Sequence, residues 1–196
     1  MCAILLSYND ISPEEADSYK SKFNSKENII SVIAATHDLE YIKKYIDNNP
    51  ELYDSQLEKL IKATNDKDYI YECVKTRGLD EYYNNKLIVY IQDADYLDEY
   101  LKSQNEYQYE YANLDLANFI AQTNDNEYIK ACLPLFKEFP KAEAEIVIGS
   151  KDKDLIKEFL SRESLNYIEP DKIFKAISNV DEPEYIKQSL ERFKRN

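Results

Sequence analysis

Six times along the chain an acidic residue is followed by an aromatic or leucine and then by Ile or Leu, each time just after an Asp or Glu. The copies are Thr36-His37-Asp38-Leu39-Glu40-Tyr41-Ile42, Thr64-Asn65-Asp66-Lys67-Asp68-Tyr69-Ile70, Asp93-Ala94-Asp95-Tyr96-Leu97, Thr123-Asn124-Asp125-Asn126-Glu127-Tyr128-Ile129, Ser150-Lys151-Asp152-Lys153-Asp154-Leu155-Ile156 and Glu182-Pro183-Glu184-Tyr185-Ile186. The anchor positions Tyr41, Tyr69, Tyr96, Tyr128, Leu155 and Tyr185 are 28, 27, 32, 27 and 30 residues apart. A recurring interval of this size marks a repeat architecture, in which one unit is too small to bury its own apolar face and must stack on the next.

Each copy reads as the start of a helix. Asp38, Asp66, Asp93, Asp125 and Asp152 accept hydrogen bonds from the first free amides, and the acid two residues later faces the positive end of the helix. From the anchor, apolar residues recur at +1, +4 and +5, as in Tyr41, Ile42, Tyr45 and Ile46, which places them on one face. A second apolar run follows in each unit: Leu57, Leu60, Ile61; Leu87, Ile88, Ile91; Leu116, Phe119, Ile120; Ile146, Val147, Ile148; Ile173, Phe174, Ile177. Two helices per repeat are therefore expected. Ser12-Pro13-Glu14-Glu15 is a capping box with Pro at the first helical position, and it opens an N-terminal capping repeat over 12–37. Repeats fill 38–181, and a lone capping helix over 182–196 ends in Arg192-Phe193-Lys194-Arg195, bases suited to the negative end of a helix. The expectation is one all-α domain over 1–196 with about thirteen helices.

Over residues 12 to 194 the pattern resembles the two-helix α-solenoid repeats of the ankyrin and HEAT-like kind. That resemblance implies an α-solenoid of about six stacked helix-turn-helix repeats of 27–32 residues, and a scaffold that binds a partner.

Composition narrows the function. In 196 residues, 38 acids face 25 Lys and Arg for a net charge of −13, which repels phosphate backbones, so no direct nucleic-acid binding is expected and a basic protein or peptide partner is favoured. Only 2 Gly are present, which excludes a glycine-rich phosphate loop. Cys2, Cys73 and Cys132 are odd in number and far apart, which points to reduced thiols and a cytoplasmic setting, or delivery into a host cytosol. The opening Met-Cys-Ala-Ile-Leu-Leu turns polar at Ser7, so neither a signal peptide nor a membrane span is expected.

Candidate chemistry is sparse. His37 is the single histidine, and one imidazole builds neither a triad nor a metal site, so it reads as a turn residue. Cys73 and Cys132 share a repeat column with Tyr45, Tyr100 and Phe159, the exchange expected of core packing. Asp93-Ala94-Asp95 lacks the glycine and later acids of a calcium loop. No catalytic residue, metal or cofactor is expected.

The segment from Asp93 to Asp115 departs most from the repeat. It holds Asp98, Glu99, Glu106 and Glu110 among its acids against the single base Lys102, while Tyr107, Tyr109 and Tyr111 alternate with polar residues. Read as an elongated inter-helix loop, these seven residues form a candidate surface for a Lys- or Arg-bearing partner through ring and charge contacts. The expected function is a non-enzymatic, monomeric protein-protein interaction module, with a host-directed effector or adaptor among its roles. The alternative is an acidic nucleic-acid mimic, of a phage or mobile-element type, that blocks a DNA-binding protein.

Overall fold

Asp38, Asp66, Asp93, Asp125 and Asp152 each open a helix and accept a backbone N–H in its first turn. The amides of Tyr41 and Tyr69 lie 2.8 Å from their caps, and those of Glu127 and Tyr128 3.0 Å from Asp125. Such caps satisfy donors that the helix itself leaves unpaired. The computed structural model describes residues 11–104, 109–162, 165 and 167–193. Among these residues the chain is all-helical, with thirteen α-helices and no strand.

Backbone contacts divide the chain into two compact units, Met1–Ile91 and Gln92–Asn196. The first holds α1 (Pro13–Lys20), α2 (Lys26–Ala34), α3 (Leu39–Asp47), α4 (Asp54–Ala63), α5 (Lys67–Thr76) and α6 (Glu81–Tyr90). Here α2 packs on α4 and α4 on α6, while α3 and α5 pack beside them. The second holds α7 (Ala94–Ser103), α8 (Tyr109–Gln122), α9 (Asn126–Cys132), a 3-10 turn (Leu133–Phe136), α10 (Pro140–Ser150), α11 (Lys153–Leu160), α12 (Pro170–Val180) and α13 (Pro183–Phe193). In this unit α8 packs on α10 and α10 on α12, and α7 packs on α9. Both units thus contain a row of second helices, as the paired apolar runs require. None of the described helices is long and apolar enough to cross a membrane.

The turns leading from a second helix to the next first helix share one construction. The residue before each cap, whether His37, Asn65, Gln92, Asn124, Lys151 or Asp181, sits at φ between 50 and 59° although none is glycine. A left-handed residue stops a helix by turning the chain out of its spiral, and the cap then restarts the helix at once. In four of the turns a hydroxyl ties the two ends together. Thr36, Thr64, Thr123 and Ser150 each donate to the carbonyl three residues back at 2.7 Å. The same oxygens accept from the amides of Asp38, Asp66, Asp125 and Asp152 at 3.2 to 3.4 Å. Amides of its own first turn, led by that of Leu155, and the Lys130 ammonium lower the Asp152 pKa. These turns never hold more than four residues between helices, whereas the connections from first to second helix run from four (77–80) to nine (161–169). Connection length therefore varies mostly ahead of the second helices.

In five of the six repeat copies the residue after the anchor is among the deepest, whereas Ile186 is half-buried like its anchor Tyr185. Ile42, Leu97, Ile129 and Ile156 are fully buried and Ile70 nearly so, while Tyr41, Tyr96, Leu155 and Tyr185 are half-buried. Tyr69 and Tyr128 are buried. The anchor ring thus spans the edge of the core, and the branched aliphatic after it fills the centre. Of the second-helix residues assigned to the core, Phe174 is instead exposed and Leu57 and Phe119 are half-buried, because each lies a step round the helix from the buried stripe. The N-terminal capping box forms as expected: Ser12 Oγ accepts from the Glu15 amide at 3.2 Å, and Glu15 accepts from the Ser12 amide at 2.9 Å. At the other end Arg192 donates to the carbonyl oxygens of Leu160 and Arg162, so its charge serves the C-terminal end of α11 rather than that of its own helix.

α8 and α10 approach closely at one point, where a Cβ added to Gly149 would stand 2.4 Å from the Ala121 Cβ. Gly149→Ala should destabilise the protein by about 1–3 kcal/mol, even though alanine is the better helix former by about 1 kcal/mol. In chemical denaturation the double variant Gly149→Ala/Ala121→Gly is expected to recover part of the loss, since the second change removes the clashing methyl.

Candidate binding site

The seven residues singled out in the acidic, tyrosine-rich segment do not share one setting. Asp98 forms an ion pair with Lys102 one turn along α7, and Glu99 is exposed. Glu106 and Tyr107 lie outside the described residues. Tyr109, Glu110 and Tyr111 stand in the first turn of α8, so much of the expected loop is helix. The buried Asn113, Leu116, Ala117, Ile120 and Ala121 follow helical spacing, and residues 109–112 extend that helix by a turn. At 14 residues, α8 takes up part of the longest repeat interval. Alternation of Tyr with polar residues disguised this turn as non-helical in the sequence.

A second aromatic surface stands in the first unit. Tyr53 is 72% and Tyr82 44% exposed, and both occupy the N-terminal ends of second helices, 29 residues apart. Glu51, Asp54, Asp80 and Glu81 surround these two helix starts, and the Asp54 carboxylate accepts from the Asp80 amide at 2.8 Å, joining one to the other. The chain already holds its own cations here. Lys26 Nζ lies 6.0 Å from the Tyr53 ring centre and 3.2 Å from the Glu51 carboxylate, and Lys86 Nζ lies 5.2 Å from the Tyr82 ring centre. An ammonium group between a ring face and a carboxylate is stabilised by both.

A column of buried polar side chains escaped the sequence reading. Gln56, Asn85, Asn113 and Glu143 fall 29, 28 and 30 residues apart, near the starts of successive second helices, and all are buried. Gln56 Nε2 donates to Glu27 at 2.7 Å, and Arg162 grips Glu143 through two bonds of 2.8 Å while its guanidinium covers the Phe159 ring. Asn113 Nδ2 has no hydrogen-bond partner. The repeat interval itself was the available signal, had polar as well as apolar columns been aligned.

Cys73 and Cys132 are free and buried, and burial raises both thiol pKa values, that of Cys132 to about 12. His37 lies in a turn and donates from Nδ1 to the Ala63 carbonyl at 2.8 Å, since that oxygen only accepts. Among the described residues no group of three His, Cys, Asp or Glu side chains is placed to hold a metal ion. Comparison of the chain with protein-family models, curated proteins and solved structures finds no match.

Alkylation followed by peptide mass analysis should find Cys73 and Cys132 protected at neutral pH by about a hundredfold or more relative to the unfolded chain, because labelling requires both opening and ionisation. Rapid labelling of either thiol in the folded protein would contradict its placement in the core.

Proposed function

We propose that the chain is a non-enzymatic interaction module whose helix pairs stack as an α-solenoid within each unit and bind a basic protein or peptide. The row of second helices and the shared left-handed turn support the stacking, because identical connections impose one repeated step from pair to pair. The observation that carries the binding reading is the Tyr53 and Tyr82 surface, where the protein's own Lys26 already adopts the ring and carboxylate geometry that a partner's cations would take and Lys86 lies over the second ring. Both rings follow connections of the variable kind, and in repeat proteins the face that tolerates changes of length is often the binding face. A net charge of −13 would speed the encounter with a basic partner. The Asp98, Glu99, Glu106, Tyr107, Tyr109, Glu110 and Tyr111 segment is a second contact region in this proposal. Free buried thiols suit action in a reducing compartment, either the cytoplasm or a host cytosol entered as an effector or adaptor.

An array of short peptides pairing Lys or Arg with aliphatic residues provides the test. Selected peptides are expected to bind with Kd near or below about 10 μM and to stay bound at about 0.3 M salt. The double variant Tyr53→Ser/Tyr82→Ser should weaken them about tenfold or more without changing the melting temperature. Binding that vanishes with salt and ignores this double variant would be bulk electrostatics and would overturn the reading. Loss confined to Tyr107→Ser/Tyr109→Ser/Tyr111→Ser would move the contact to the second region.

A further inference from the structure

The second unit contains a cavity of about 300 Å³ between the start of α8, the start of α10 and Tyr167. Its volume falls at the lower end of the range for small-ligand sites. Leu114, Phe139, Pro140, Ala142 and the Tyr167 ring make its walls mainly apolar. Two independent features give it a polar focus.

The first is Asn113. It is 2% exposed, lines the cavity, and leaves its amide nitrogen without a partner. A buried N–H left unpaired costs about 1–3 kcal/mol. The second is the beginning of α10. This eleven-residue helix starts on Pro140 with Phe139 at its cap position, and no side chain accepts from its first-turn amides. Lys141 and Ala142, whose amides stand in that turn, also line the cavity. Residues carrying these donors on two helices therefore line one apolar hollow, with the positive end of the α10 dipole beside it. The exposed Lys141 adds a positive charge at the rim and the exposed Glu138 a negative one.

We propose that this cavity binds a small carboxylate with an apolar body, its head group held by Asn113 Nδ2, the first-turn amides of α10 and Lys141. The body lies against Leu114, Phe139 and Tyr167, where its burial supplies hydrophobic free energy, and the carboxylate satisfies a donor that the fold leaves orphaned. A neutral alcohol of the same shape offers one acceptor oxygen and no charge, so it binds less well. This site is separate from the peptide-binding reading and does not depend on it.

The test uses the full chain with phenylacetate and 4-methylpentanoate as probes and 2-phenylethanol and 4-methylpentanol as their neutral counterparts. Calorimetry is expected to show binding of at least one carboxylate with Kd near or below about 1 mM and about tenfold weaker binding of the matching alcohol. Amide resonances of Asn113, Lys141 and Ala142 should move on titration. Asn113→Leu should lower carboxylate affinity about tenfold or more with little change in melting temperature, since it replaces a side chain whose buried N–H is unpaired by an apolar group of similar size. Lys141→Glu, on the exposed rim, should weaken the carboxylate several-fold and leave the alcohol unchanged, which provides the decision should Asn113→Leu fail to fold. No binding of either carboxylate up to about 10 mM, equal binding of acid and alcohol, resonance shifts elsewhere, or wild-type affinity in either variant would each overturn the proposal.

Discussion

One short turn holds this fold together. At six places the chain leaves a second helix through a single left-handed residue and enters the next first helix through an acidic residue or a capping Asp directly after it. Left-handed backbone costs an L-residue about 1–2 kcal/mol, so its use at His37, Asn65, Gln92, Asn124, Lys151 and Asp181 needs compensation. The cap bonds supply part of it. Where Thr or Ser precedes the left-handed residue, one hydroxyl also bridges the old helix end and the new helix start.

Because each of these turns places its cap directly after the left-handed residue, the helix that follows restarts at the same step each time. Ile42, Ile70, Leu97, Ile129 and Ile156 then reach the core at the same step beyond each turn. Length varies in the other connections, which run from four to nine residues, and in the second helices, where α8 reaches 14 residues. Tyr53 and Tyr82 stand beside those connections, and the buried Asn113, whose Nδ2 has no partner, lies near the start of α8. Packing is thus fixed by one set of turns, while surface and pocket chemistry gather at the opposite ends of the second helices.

Much of this plan was legible in the sequence, because caps and apolar spacing act locally. Asp38 and Asp66 could be assigned as caps from position alone, and Ser12 with Glu15 as a capping box. The left-handed residues were harder to see: His, Asn, Gln, Lys and Asp stand there, and none announces a positive φ as glycine would. The binding region was least legible. Tyr109 and Tyr111 looked like loop residues until helical spacing from Asn113 onward extended α8 over them, whereas Tyr53, the most exposed ring among the described residues, lay outside the repeat anchors and attracted no notice. Exposure depends on what packs nearby, and a linear pattern records only spacing.

Lys151 gives the cleanest access to the central claim, since it is exposed, stands at φ 59° and ψ 10°, and follows Ser150 and precedes Asp152 in a complete turn. The measurement is the unfolding free energy of Lys151→Gly and Lys151→Val beside the wild type. If the left-handed turn is the element on which the stack depends, Gly should raise stability by about 0.5–1 kcal/mol and Val lower it by about 1–2 kcal/mol. A valine variant as stable as the glycine variant would contradict the account.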